Sequence, residues 1–245
     1  FKKFKDKIIY IIVDEQPPGL LNFDNKDNLK QKNSKKIYNA YKREILQIQK
    51  VQDGLINLND DDIIIISDLD EIPNLENISF NKIKEKLIFF KQKMFYYKLN
   101  LLHKSLPWYG SKACKKKYFK SPQWLRSIKN KKYPIWRFDT FFSNLKYNDI
   151  YFVKNGGWHF SNIRKPEDLE KKLLNFLHHV DFEYSGINLN ELKRLMNEKK
   201  LLYNHSIDKK GYKWGEGEKL YTTKIEEMPN YISENFEKYK PWLDV

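Results

Sequence analysis

The chain has 245 residues, 40% of them hydrophobic and 16% aromatic, which excludes a disordered chain and suits one α/β domain with a sizeable core. Its single cysteine, Cys114, excludes an internal disulfide framework, and no run of about 18 apolar residues reads as a transmembrane helix. The formal net charge is +14, yet only Arg43, Arg126, Arg137, Arg164 and Arg194 are arginines; sequence-specific nucleic-acid readers lean on arginine, so no specific nucleic-acid partner is expected.

The lysine excess reads either as compositional bias or as a basic face for an anionic membrane (a peripheral contact), nucleic acid or a phosphorylated substrate. Residues 7–13 (KIIYIIV) are short and β-branched and predict a buried parallel strand. The chain leaves it through the turn-rich Asp14-Glu15-Gln16-Pro17-Pro18-Gly19. Residues 20–35 are polar without period and read as a loop. Over 36–55, Ile37, Tyr41, Ile45, Ile48 and Leu55 recur at helical steps and their multiples. Asn33 or Ser34 is the expected cap, and Gly54 the expected stop. Arg43 on this helix either reaches a ligand diphosphate or makes a surface ion pair.

Four isoleucines, Ile63 to Ile66, are too few for a helix and predict a strand buried on both faces. The run ends in Ser67, Asp68, Asp70 and Glu71. Ligands of open α/β sheets sit beyond the carboxyl ends of the strands. The spacing lets Asp68 and Asp70 turn toward one cation while Leu69 tucks into the core. A hard ion such as Mg²⁺ or Mn²⁺ is commonly held by one or two carboxylates plus substrate phosphates. The alternative is a solvated acidic loop. Pro73 suits a turn or the first turn of a helix.

Residues 80–86 read as helix, and 87–90 and 94–101 as strands forming a hairpin. Residues 103–113 have no regular period; Trp108 and Tyr109 there either stack on a sugar, or Trp108 plugs the core. Ser121 and Pro122 mark a helix start, and Arg126 behind them suits a diphosphate bidentately. Residues 133–140 bring Trp136, Arg137 and Asp139 together, so Asp139 is either a carboxylate base or half of an Asp–Arg ion pair. After a short strand at 150–153, Gly156 and Gly157 allow close backbone approach beside Trp158 and His159. His159 is either a metal or diphosphate ligand or a satisfied core histidine. Leu169, Leu173, Phe176 and Leu177 form one apolar helix face, next to which His178 is a ligand or a packing residue. A helix over 190–201, a glycine-rich flap at 211–218 and a final helix over 228–243 complete the chain.

The string IIIISDLDEIP closely resembles the signature of glycosyltransferase family 17, the β-1,4-mannosyl-glycoprotein 4-β-N-acetylglucosaminyltransferases. That signature is a hydrophobic strand followed by Ser-Asp-x-Asp-Glu-Ile-Pro. Gly157-Trp158-His159-Phe160-Ser161 matches the family's Gly-Trp-His-Phe-Ser motif. Arg43-Glu44 and Leu125-Arg126 resemble its Lys-Arg-Glu and Leu-Arg elements. Residues 172–178 resemble its Lys-Leu-x-Ser-Phe-x-His helix, with Asn175 in place of the serine and His178 lined up with the histidine. A phosphatase-type Asp-x-Asp loop normally continues into Gly-Thr, whereas Glu71-Ile72 follows here.

The resemblance runs in pieces over residues 5–180. It implies one α/β glycosyltransferase domain over 1–245, a GT-A-type nucleotide-sugar-binding sheet flanked by helices. The family's first N-terminal strand has no counterpart, as in an N-terminally truncated chain. The implied reaction is inverting transfer of N-acetylglucosamine or a related sugar from a UDP-sugar to a glycan acceptor. The implied site has Asp68, Asp70 and His159 on Mn²⁺ or Mg²⁺, with Arg43 and Arg126 on the diphosphate. Trp108, Tyr109, Trp158 and His178 would contact substrate. Asp139, or else Glu71, would be the general base. Two other readings stay open: a non-catalytic nucleotide-sugar or glycan-binding relic, and a metal-dependent phosphoryl-transfer enzyme using the same carboxylates. Eukaryotic relatives work in the secretory pathway, which stays open here if upstream sequence precedes Phe1; with no signal in these residues and one cysteine, a cytoplasmic site is expected, with a membrane face as one option.

Overall fold

A capping box opens the first long helix. Asn28 Oδ1 accepts from Gln31 N and Gln31 Oε1 accepts from Asn28 N, both at 2.9 Å. Helix α1 (Leu29–Lys50) therefore begins at Leu29, inside the expected loop, and not behind Asn33 or Ser34. A 3₁₀ turn, Val51–Leu55, ends it. The computed structural model describes residues 2–76, 78–175, 179–204, 214 and 217–245.

Among the described residues nine strands follow: β1 (Ile63–Ile66), β2 (Glu71–Pro73), β3 (Leu87–Phe90), β4 (Gln92–Tyr96), β5 (Leu101–Trp108), β6 (Lys112–Lys115), β7 (Ile150–Val153), β8 (Gly157–Ser161) and β9 (Tyr221–Thr222). They form two mixed sheets flanked by helices, one ordered β1-β6-β3-β7 and the other β2-β8-β4-β5-β9. The pairs β3–β7 and β4–β8 are parallel and the rest antiparallel. Lys91 alone separates β3 from β4, so these strands run on into different sheets and do not form the expected hairpin. The β5–β6 and β7–β8 connections pass from sheet to sheet at the same joint. A side chain at Gly156 would lie 2.4 Å from Lys91 N and 2.7 Å from Phe90 C, so the joint requires glycine there.

The passage from β1 to β2 is different. β1 lies beside β6 at one edge of the first sheet, while β2 lies beside β8 at the edge of the second. Residues 67–70 therefore carry the chain across the joint. β1 is antiparallel to β6, which is antiparallel to β3, so β1, β3 and β7 end together where β6 begins.

Three helices, α3 (Pro166–Asn175), α4 (His179–Ser185) and α5 (Leu189–Asn197), cover one face of the second sheet. Their core joins Met94, Tyr96 and Leu101 to Leu169, Leu173, Phe182, Leu192 and Leu195. The other face, with Phe95 and Phe160, is covered by Met228 and Ile232 of the C-terminal segment. That segment is two short helices, α6 (Asn230–Glu234) and α7 (Phe236–Tyr239), and a 3₁₀ turn, where the sequence predicts one helix. On the first sheet, Ile64, Ile66, Leu87 and Phe89 pack with Leu125 of the short helix α2 (Pro122–Ser127). Ser121 caps α2 and Pro122 is its first residue, as the sequence predicts.

Several expectations are corrected. Residues 8–13 form no strand: Ile9, Tyr10 and Ile12 are exposed, and the segment lies along α1 without a ladder partner. β-branched residues favour a strand only where one is available to pair with. β1 is an antiparallel edge strand with alternating burial, not a strand buried on both faces. Pro73 lies in β2, and the helix expected over 80–86 is a 3₁₀ turn, Phe80–Lys82. Residues 103–113 are largely strand; β9 pairs with β5 only at Leu101 and Leu102, so Pro107 sits where that side of β5 is open. The glycine-rich flap lies mostly outside the described residues. Among the described residues, no helix is long and apolar enough to cross a membrane.

Candidate functional site at the joint of the two sheets

The carboxylates sit on a closed turn. Glu71 N donates to Asp68 O at 3.0 Å, and Asp68 N donates to Glu71 Oε2 at 3.0 Å. This geometry throws Leu69 to the tip, where it is fully exposed and not in the core as expected. Glu71 is only 6% exposed; its Oε1 accepts from Trp108 Nε1 at 2.6 Å. A side chain at Gly110 would occupy the same space, with its Cβ 1.5 Å from Glu71 Oε1.

Beneath the turn lies a polar network that sequence reasoning misses. Ser67 Oγ donates to Ser111 Oγ at 2.7 Å, and Gln92 Nε2 donates to Ser111 Oγ at 3.0 Å. Gln92 Nε2 also reaches Trp158 O at 3.3 Å. The one signal that could reveal it is a glutamine at the head of the strand QKMFY, close behind the apolar run Leu87–Phe90.

The two aspartates face different partners. Asp68 Oδ1 accepts from Arg126 Nη1 of α2. The end of that helix is held by Lys112, whose Nζ donates to Arg126 O at 2.8 Å and Ile128 O at 2.5 Å. Lys112 is 3% exposed, and burial pushes its ammonium down to about 8. Nothing local in the sequence distinguishes Lys112 from the other lysines.

Asp70 Oδ1 stands 3.6 Å from His159 Nε2, on the side of the second sheet. His159 is 6% exposed, lies opposite Glu71 in the β2–β8 register, and stacks on Trp108 at 4.6 Å. Its Nδ1 is buried without a hydrogen-bond partner. Burial raises the Asp70 carboxyl, but His159 and then Lys172 outweigh it, so Asp70 titrates below the ordinary carboxylate value.

Among the described residues, no three of His, Cys, Asp and Glu converge as a metal-holding group. The Asp70–His159 gap is beyond hydrogen-bond length, and Asp70 Oδ1 and His159 Nε2 are the two facing atoms there that could hold a cation.

A cleft of about 390 Å³ opens beside the turn, lined by Glu44, Gln47, Ser67, Asp68, Leu69 and Arg126 among others. Arg43 lies in an adjoining groove of about 680 Å³ between α1 and residues 9–17, where its Nε donates to Gln16 Oε1 at 2.8 Å.

The remaining expected site residues that are described have partners within the fold. Trp108 is held by Glu71 and His159, and Tyr109 packs edge-on against Phe152. Trp158 Nε1 donates to Glu227 O at 2.7 Å and so anchors the C-terminal segment. Asp139 takes both oxygens to Arg137, at 2.8 and 2.7 Å, and one also to Lys146 at 2.7 Å. These partners hold its carboxyl far below the usual range, and none of them belongs to the carboxylate turn. His178 lies outside the described residues. Comparison with family models, with curated proteins and with solved structures finds no match to this chain.

Proposed function

We propose that the chain is a metal-dependent inverting glycosyltransferase of GT-A type, moving N-acetylglucosamine or a related sugar from a UDP-sugar to a glycan acceptor. The observation that carries this reading is the Asp68–Asp70 turn at the shared ends of β1, β3 and β7, with Arg126 beside it on a cleft. The sequence resemblance at residues 62–73 and 156–161 supports it.

Arg126 would take the donor diphosphate, exchanging the Asp68 carboxylate for phosphate oxygens with the same fork geometry. Asp70 and His159 would hold Mn²⁺ or Mg²⁺, with Asp68 beside them. The bound cation supplies Lewis-acid neutralisation of the leaving diphosphate. The base role falls to Glu71 in preference to Asp139, because Arg137 and Lys146 make Asp139 a weak base. Glu71 Oε2 is the less tightly held oxygen of its carboxylate, with a backbone donor at 3.0 Å and Ser111 Oγ at 3.4 Å. A binding-only reading is favoured by one observation, that both candidate bases are engaged by protein partners. UDP-sugar binding without transfer would assign it.

The test is calorimetric titration of UDP and UDP-N-acetylglucosamine with and without Mn²⁺. Wild type should bind in a Mn²⁺-dependent way, and Arg126→Gln and Asp70→Asn should each weaken binding about tenfold or more. Absence of binding by folded wild type under both conditions overturns the reading.

A further inference from the structure

Five large apolar side chains stand in the open on one loop behind α2. Ile135, Trp136, Phe138, Phe141 and Phe142 are each between 68% and 91% exposed. Single exposed apolar residues are normal on a protein surface, but five within eight positions mark an interaction site. The loop is built from tight turns: Arg137 N donates to Pro134 O at 3.2 Å, Thr140 N to Arg137 O at 3.1 Å and Phe141 N to Phe138 O at 3.1 Å. At its feet, Lys129 N donates to Leu145 O at 2.8 Å and Tyr133 N to Tyr147 O at 3.0 Å, which ties both ends down. Backbone bonds thus set the shape of the loop, and its apolar side chains are left outside.

Cations surround the base of this loop. Lys131 Nζ, Arg137 Cζ and Lys146 Nζ lie 5.8, 5.3 and 6.0 Å from the centroid of the Tyr133 ring. Lys120 Nζ reaches the other foot, donating to Asn144 Oδ1 at 2.8 Å. The loop's one carboxylate, Asp139, is bonded to Arg137 and Lys146. Among the described residues, Glu85, 3.9 Å from Lys132, is the other carboxylate paired with this cluster. Residues 129–146 carry five Lys or Arg against one Asp, so the rim of the patch is positive.

A positive rim around Trp and Phe fits an anionic bilayer. Trp settles at headgroup level, Phe and Ile gain by burial just below it, and Lys and Arg gain beside anionic headgroups. A second copy seated face to face would set two positive rims against each other. A single-stranded nucleic acid would use the rings as stacking platforms and leave Ile135 without a role.

We propose that the loop over 134–143 is a docking surface for an anionic lipid bilayer, burying its apolar side chains below the headgroups while the Lys and Arg rim meets the headgroup charge. Helix α2 joins this surface to the candidate site: Trp124 Nε1 donates to Asn144 O at 3.1 Å, and Arg126 reaches Asp68. Docking of this kind does not depend on the glycosyltransferase reading.

Cosedimentation with lipid vesicles tests it, using phosphatidylcholine alone and phosphatidylcholine mixed in equal parts with phosphatidylserine. Wild type should bind the mixed vesicles, bind the neutral ones about tenfold or more weakly, and come off as salt rises. The double variant Trp136→Ser, Phe142→Ser should weaken binding about tenfold or more, and Lys131→Gln, Lys132→Gln about fivefold or more. Ile9→Ser, Tyr10→Ser, in the exposed apolar segment before α1, should leave it unchanged. Circular dichroism checks the folding of each variant. Unchanged vesicle affinity in the Trp136, Phe142 variant overturns the docking surface, and equal binding to both kinds of vesicle overturns the anionic bilayer as its partner. A dimer or an oligonucleotide complex that is lost in the same variant, in a protein that binds no vesicles, assigns the patch to a second copy or to nucleic acid; either result overturns the membrane assignment.

Discussion

Glu71 and Gly110 show how closely the site depends on single residues. Glu71 joins Trp108 of β5 to the backbone of the carboxylate turn, and Gly110 leaves the space its carboxylate fills. Glu71→Ala orphans the Trp108 indole N–H and should cost about 1–3 kcal/mol, read from the denaturant midpoint. Gly110→Ala should produce a comparable loss with Glu71 still present; a midpoint equal to wild type would show that the carboxylate is not confined there. Asp68, Glu71, Arg126 and His159 are legible in the sequence because the strings that carry them are distinctive. Lys112 is not, since burial selects it from a chain crowded with exposed lysines and sequence does not record burial. Ser67, Gln92 and Ser111 are hidden for a related reason: hydrogen bonds between residues 19 to 44 positions apart leave no local pattern.

Elements are easier to find than their partners. The β-branched and aromatic runs of β1, β3 and β7 announce strands, but pairing is a long-range property and the sequence does not reveal it. The same chemistry at residues 8–13 produces no strand. Helix α1 is legible in its apolar repeat, while its true start depends on a reciprocal hydrogen bond between Asn28 and Gln31 in a polar stretch. The joint between β7 and β8 yields a sharp expectation. Gly156→Ala sets a methyl group against backbone atoms of Phe90 and Lys91, which have no rotamer to change. It should destabilise by on the order of 3 kcal/mol or more, seen as a lowered thermal midpoint. An unchanged midpoint would mean that the two sheets separate freely at this point.

For the whole molecule, the buried ammonium of Lys112 links stability to pH. Its folded value of about 8 lies below the ordinary 10.5. Below pH 8 both states hold the proton, and the cost of burying the charge is present in full. Between about 8 and 10.5 the unfolded chain keeps the proton that the folded chain releases, so this group's contribution to stability rises with pH. Wild type should therefore gain on Lys112→Met by on the order of 3 kcal/mol between pH 7 and the upper end of that window, measured by urea denaturation. A constant difference across the window would remove Lys112 as the source.

The turn between β1 and β2 also has a mechanical meaning. Asp68 is tied to a helix of one sheet, and Asp70 faces a histidine of the other. The separation of these two negative charges is thus a gauge of the angle between the halves of the protein. A ligand that takes both carboxylates at once would therefore bridge the two sheets.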